Sequence, residues 1–276
     1  MREKKGFTLI ELLVVIAIIS LLMSIIVPSL RMAKRKAAMA GCLTHVKQIS
    51  TAWFMYKEEA KDKIPGADPG QPYAWVRHPR DLSGATLSAI TTAPPVTDED
   101  DVRGIDAGVL FAYLKSPDVF RCPMDRRKSL FDGSDIYRSF SMPQCLNYAP
   151  DRDDLPQIKQ YNQIRSPGTK FMLLEEAEIR NYNLGACSFG APEYTGGGEL
   201  LWWDPLAVTH GDSSTLGYCD GHAENHKWVD SFTKERPETL ARTSPPATSY
   251  GTAAPPAGQI TDIEFMYAGW AYRYKK

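Results

Sequence analysis

The chain has 276 residues, 43% of them hydrophobic and 24% charged, with a formal net charge of −1. That size suits one globular domain plus an appendage, or at most two small domains, and the near-neutral balance excludes a broadly basic nucleic-acid-binding surface. Five cysteines (Cys42, Cys122, Cys145, Cys187 and Cys219) form no CxxC pair, which argues against a zinc ribbon or a thioredoxin-like site, and their odd number leaves at least one thiol unpaired within the chain.

The first element is apolar. Leu12 to Val27 carries no polar residue except Ser20 and Ser24. Counting from Phe7 to Leu30 gives roughly 24 residues, enough to cross the ~30 Å hydrocarbon layer as a helix. Arg2, Lys4 and Lys5 precede the run, and Arg31, Lys34, Arg35 and Lys36 follow it, so charge alone does not orient it. The run is longer than the apolar region of a secretory signal, and Pro28 and Arg31 stand where a small-residue cleavage site would. Both features weigh against removal of the whole segment. Glu11 is the anomaly: a carboxylate inside a span needs a partner, unless it simply sits in the interface.

Gly6-Phe7-Thr8-Leu9-Ile10-Glu11, behind a short basic leader, resembles the signature of type IV prepilins and type II secretion pseudopilins, and the likeness runs from Arg2 to about Pro28. The resemblance implies that a membrane-embedded prepilin peptidase cuts between Gly6 and Phe7 and N-methylates Phe7. It also implies that Glu11 faces the terminal amine of a neighbouring subunit. Physical chemistry fits these roles. A residue without a Cβ lets a protease approach the backbone closely. A buried ammonium and a buried carboxylate each cost several kcal/mol unless paired, so the pair would select one stagger between subunits. Loss of the leader, residues 1–6, removes three positive side chains and one negative one, taking the formal charge from −1 to −3.

Beyond Pro28, where a helix is expected to kink, the pattern stays helical. Met39, Cys42, Val46, Ile49, Trp53, Tyr56 and Ala60 recur at alternating spacings of three and four, a narrow apolar stripe opposite Lys47, Gln48, Lys57 and Glu58. One helix is expected from about Thr8 to about Lys61, roughly 80 Å long, with its second half docked on the protein's own body and Cys42 a small core residue. A coiled-coil seam is the rival, but three heptads are few for one. The acidic block Asp98-Glu99-Asp100-Asp101 reads as a solvated loop.

The body reads as short strands among prolines and glycines. Val109–Leu114 is a short apolar piece, helix or strand. Lys170–Leu174 is a strand after the Ser166-Pro167-Gly168 turn, and Leu206–Thr209 is another candidate. Asp220-Gly221 between Tyr218-Cys219 and Ala223–Val229 signals a hairpin with a type I′ turn. Trp202-Trp203 suits packing or an exposed contact tip. Residues 236–259, with five prolines, read as an extended connector, and Ile260–Tyr274, rich in β-formers, as a last edge strand.

His210, nine residues, then Asp220-Gly221 matches the H-x9-DG motif of a large group of prepilin-type proteins, and Phe120–Asp125 and Ser139–Tyr148 also look like that group's middle region. By that analogy Cys122 is structural, with Cys145 as its expected disulfide partner. His210, Asp212, Asp220, His222, Glu224 and His226 lie close in sequence, but His222 and His226 on a strand would stand about 13 Å apart, too far for one metal. Asp212, Ser213 and Asp220 match no calcium loop. A structural role is therefore expected: Asp220 bonding turn backbone, His210 bonding across strands. No metal and no cofactor are expected.

The expected architecture is α+β and pilin-like: a leader (1–6), a membrane and assembly helix (7–30), its amphipathic continuation (31–61), and a head (62–236) whose antiparallel sheet with long loops carries the helix, then a connector (237–258) and an edge segment (259–276). The resemblance implies a non-enzymatic filament subunit anchored by a single pass in the inner membrane, its head in the periplasm or on a surface filament. Its partners would be the peptidase, other pilin-like subunits and inner-membrane lipid. The rival is a membrane-anchored periplasmic binding module or enzyme that borrows the leader. A polar cluster of His210 and Asp220 in an open cleft would favour that rival, and a buried hairpin with satisfied polar groups would favour the subunit.

Overall fold

The computed structural model describes residues 8–87, 96–128, 133, 135–148, 157–178, 184–190, 198–243 and 253–271, the side chains of 238–243 excepted. Helix α1, Leu9–Glu59, has 51 residues, about 77 Å at 1.5 Å per residue. Thr8 caps it with a reciprocal capping box: its hydroxyl accepts from the Glu11 N–H, and the Glu11 carboxylate accepts from the Thr8 N–H. Pro28 lies inside the helix, which continues through it although proline cannot donate to the carbonyl one turn back. The helix stops where Lys61 and Asp62 take left-handed backbone angles, φ 54° and 68°, just before Pro65.

The two halves of α1 meet different surroundings. Residues 9–37 are all exposed, although most up to Leu30 are large and apolar. From Cys42 onward the expected stripe is buried: Cys42, Val46, Ile49 and Trp53 are fully covered, and Met39, Tyr56 and Ala60 half-buried. Burying a large aliphatic or aromatic side chain contributes about 1.5–3 kcal/mol, so Val46, Ile49 and Trp53 anchor the helix firmly to the head.

The head is a five-stranded sheet with a small satellite. The strands are β1 Phe140–Pro143, β2 Phe171–Glu175, β3 Ala186–Cys187, β4 Phe189–Gly190, β5 Leu201–Trp202, β6 Ser213–Tyr218 and β7 Ala223–Lys227. Their order is β3-β1-β2-β6-β7, with β4-β5 as a separate antiparallel pair. The sheet is mixed: β1/β2, β2/β6 and β6/β7 are antiparallel, but β3 joins β1 in parallel. α1 lies on β6 and β7. It approaches closely because Gly217 of β6 has no side chain: a Cβ there would stand 2.8 Å from Val46 Cγ1. Helix α2 (Asp98–Asp106) and the short α3 (Phe111–Leu114) cover one flank, and α4 (Ser231–Thr243) and α5 (Thr261–Gly269) follow β7.

Several local expectations change. The acidic block is the first turn of α2, capped by Thr97 and Asp100, where carboxylates suit the positive end of the helix dipole. Asp101 is buried and pairs with the buried Arg138 at 2.6 Å. Leu206–Thr209 forms no strand; Leu206 makes a single bridge to Glu176. The stretch expected as extended connector begins inside α4, which runs to Thr243 through Pro237. Within the expected edge strand Ile260–Tyr274, Thr261–Gly269 is instead helix α5, because Ile263, Met266 and Trp270 turn to one buried side; residues 272–274 lie outside the described residues. α5 is stapled to the end of β7 by reciprocal bonds: the Asp262 carboxylate accepts from the N–H of Val229 and Asp230, and Asp230 Oδ2 accepts from the Asp262 N–H at 2.8 Å. The β6–β7 hairpin is where Asp220-Gly221 puts it, but its turn differs. Tyr218 pairs with the carbonyl of His222, the Gly221 N–H donates to the Tyr218 carbonyl, and Gly221 alone has positive φ (88°). That is a three-residue loop with glycine in the left-handed bulge position.

Candidate functional site

Two regions carry chemistry. The first is the N-terminal segment. Gly6 and Phe7 lie outside the described residues. Glu11 is exposed, and its Oε2 accepts from the Thr8 backbone N–H at 2.9 Å and from the Thr8 hydroxyl at 2.7 Å. Seventeen residues on, Pro28 sits in the exposed apolar half of α1. This half is long and apolar enough to cross a membrane, and none of its most apolar stretch is covered by the protein itself.

The second region lies inside the head, and it is built from four distant parts of the chain. Cys42 comes from the buried face of α1, at the spacing that also buries Val46 and Ile49. Cys122 follows the 3-10 turn Pro117–Phe120, with its N–H donating to Ser139 Oγ at 2.9 Å. Glu175 ends β2 opposite Phe140, and its Oε2 accepts from the Thr215 N–H at 2.8 Å, which leaves Oε1 turned toward the other three. His210 precedes β6 in a tight turn, where Gly211 and Asp212 both take positive φ and the His210 N–H donates to the Ser213 carbonyl. The four side chains converge: Cys42 Sγ is 2.8 Å from Glu175 Oε1, His210 Nε2 is 3.0 Å from the same oxygen and 3.4 Å from Cys122 Sγ. One donor atom from each residue lies within 4.8 Å of all the others. The side chains of His210 and Glu175 are 0% and 1% exposed.

The electrostatics of this cluster are strongly perturbed. Burial on its own favours the neutral imidazole of His210, but hydrogen bonds with Cys122 and Glu175, and their negative charge, outweigh it and raise the group to about 10. The Cys122 thiol is drawn down to about 7 by its contact with Cys42, with burial opposing and His210 assisting. Cys42 is pushed far up by burial, then by Cys122 and Glu175. His210 Nδ1 is buried without a hydrogen-bond partner.

The sequence reading and this geometry differ in specific ways. His210 and Asp220 stand at opposite ends of β6 and form no common site. Asp220 does bond turn backbone, accepting from the His222 N–H at 3.0 Å, and its Oδ1 also meets His222 Nδ1 at 2.5 Å. His210 bonds across to β2, at Glu175. The expected Cys122–Cys145 disulfide is absent: both are free, buried thiols, and the sulphur next to Cys122 is that of Cys42. Cys145 belongs elsewhere, at the start of the turn after β1, where its carbonyl accepts from the Ile158 N–H. Among the described residues, Cys42, Cys122, Glu175 and His210 form a cluster of metal-ligand type that no local spacing announced. Trp202 packs, edge-on to Phe189 with ring centroids 6.1 Å apart.

Comparison with known proteins bears on the first region. Residues 1–27 match the family described as the prokaryotic N-terminal methylation motif. The chain is 40% identical over 70 residues, 25% of its length, to the type II secretion system core protein G of Vibrio cholerae serotype O1. It is 57% identical over 37 residues, 13% of its length, to the type IV wide pilus major component PilA4 of Thermus thermophilus. The matches span 47% and 28% of those relatives' own lengths, so the chain covers less than half of either. No solved structure matches it. The chain thus joins an N-terminal methylation motif to a long apolar helix and a small α+β head, and over part of its length it is similar to both a secretion pseudopilin and a pilin.

Proposed function

We propose that the chain is a pilin-like structural subunit, processed by prepilin peptidase between Gly6 and Phe7, N-methylated at Phe7, and assembled into a type IV pilus or type II secretion filament. The observation that carries this reading is the division of α1. Its apolar half is wholly exposed beside the methylation segment, while its second half is locked into the head. Exposed apolar surface on that scale needs lipid or other helices around it. A single pass in the inner membrane, with the head in the periplasm, stores the subunit; bundling of the same helices forms the filament core. Glu11 then trades its local bond with Thr8 for the ammonium of a neighbour's Phe7, and that ion pair fixes the stagger. The relatives' names, a secretion core protein and a pilus component, point to structural assembly rather than catalysis.

The rival reading, an anchored binding module or enzyme, draws no support from the hairpin. The His210 side chain is covered, and it stands at the other end of β6 from Asp220. Incorporation into filaments tests the proposal. Glu11→Ala is expected to be cleaved and membrane-inserted like wild type but to be missing from sheared or pelleted filaments. Normal incorporation of that variant would sink the pairing, and a wild-type chain never found in filaments would sink the subunit role.

A further inference from the structure

We infer that Cys42, Cys122, Glu175 and His210 form a closed, four-ligand site for a zinc ion that fastens helix α1 to the sheet. The inference stands on the head alone and holds whatever filament, if any, the chain joins.

The donor set is the first reason. Two thiolates, one imidazole and one carboxylate suit Zn2+, which takes sulphur, nitrogen and oxygen ligands in a tetrahedron. With metal–ligand bonds of about 2.0–2.3 Å, the ligand atoms of such a tetrahedron lie roughly 3.3–3.8 Å apart. The four donor atoms here already lie within 4.8 Å of one another, with contacts of 2.8, 3.0 and 3.4 Å among them. Small side-chain movements would open or close these separations to the tetrahedral value.

Orientation is the second reason. A ligating carboxylate is usually held by an outer partner. Glu175 Oε2 is held by the Thr215 N–H, so Oε1 is the oxygen presented. His210 presents Nε2 to the centre, facing Glu175 and Cys122 together. A single Nε2 proton serves only one of these neighbours, whereas a metal on Nε2 satisfies the ring, the thiolate and the carboxylate at once. Cys122 is positioned from behind by Ser139, whose hydroxyl in turn donates to Asp125 Oδ2 at 2.6 Å.

Topology is the third reason. The ligands come from the docked half of α1, the loop after the 3-10 turn, the end of β2 and the turn before β6. They are spread along the chain from Cys42 to His210, 168 positions apart. One ion would therefore crosslink four segments at the base of the helix that emerges from the head. All four coordination positions are filled by protein, and Cys42, Cys122 and Glu175 are buried, which is the pattern of a structural rather than a catalytic ion.

The test uses the full chain purified in detergent under reducing conditions. One equivalent of zinc is expected by elemental analysis. Replacement with cobalt should give thiolate-to-metal charge-transfer bands and the intense visible bands of a tetrahedral centre. Cys122→Ser and His210→Ala should weaken binding, measured against a chromophoric chelator, by at least about 100-fold, the upper end of what even an outer-shell change costs. Cys187→Ser, a buried thiol outside the cluster, should bind like wild type. Wild-type protein needs no variant to decide the matter: a folded chain that takes up neither zinc nor cobalt overturns the inference. So does a Cys42–Cys122 disulfide in the folded, metal-free chain, found by peptide mass spectrometry, or wild-type affinity in the ligand variants.

Discussion

The Glu11 carboxylate already has donors in the Thr8 N–H and hydroxyl, so under the proposed function a single residue would serve two stages. In the isolated subunit it closes a capping box, and in the proposed filament it would answer a new terminal ammonium one residue before its cap. The exchange is inexpensive because an exposed capping bond contributes only about 1 kcal/mol, whereas an unpaired charge among bundled apolar helices costs several. His78 shows the opposite logic inside the head. Burial disfavours its charged form, Arg138 adds to this, and Asp68 opposes it only in part, so the ring falls to about 4 from its ordinary 6.5. The folded chain therefore resists taking a proton that the unfolded chain accepts. Stability from this residue is present above pH 6.5 and is lost as pH falls toward 4. His78→Gln, which has no proton to gain, should lose less stability than wild type over that interval, read as the difference in Tm between the two at each pH; parallel curves would contradict the assignment.

At the scale of elements, the joint between α1 and the sheet is the critical one. Gly217 lets β6 approach Val46, since a Cβ there would sit 2.8 Å from Val46 Cγ1. Gly217→Val should destabilise the head by about 1–3 kcal/mol through overpacking; chemical unfolding in detergent checks this, and an unchanged midpoint would show that the helix is not seated as described. This joint was legible in the sequence, because the 3,4 spacing from Met39 to Ala60 survives as a buried face. The hairpin was legible too, since Asp-Gly punctuates two extended runs, but its three-residue loop was not, because the same dipeptide serves more than one turn. Helix α2 was missed although Thr97 and Asp100 have capping-box spacing; the charge run overshadowed it. Helix α5 was missed because β-branched and aromatic residues favour strands in isolation, whereas the buried positions 263, 266 and 270 follow a helical period that packing enforces. The Cys42–Cys122–Glu175–His210 cluster had no local signal at all. Its members meet only through the tertiary fold, across separations of 35 to 168 positions.

At the scale of the whole molecule, the chain divides between a head whose described large apolar residues are mostly covered and a helix whose first half is bare. The head is held together by the α1 stripe and by the β2–β6–β7 ladder. The bare half is continuous with the docked half, so a force on one reaches the other through a single 51-residue helix. That continuity is what a subunit needs if it is to be lifted from a membrane into a filament without unfolding. The proposal stands on the processing event that begins this path, and the N-terminal mass of the chain isolated from cells containing prepilin peptidase tests it most directly. The account predicts a terminus at Phe7 carrying an N-methyl group; an intact terminus at Met1 in those cells would contradict it.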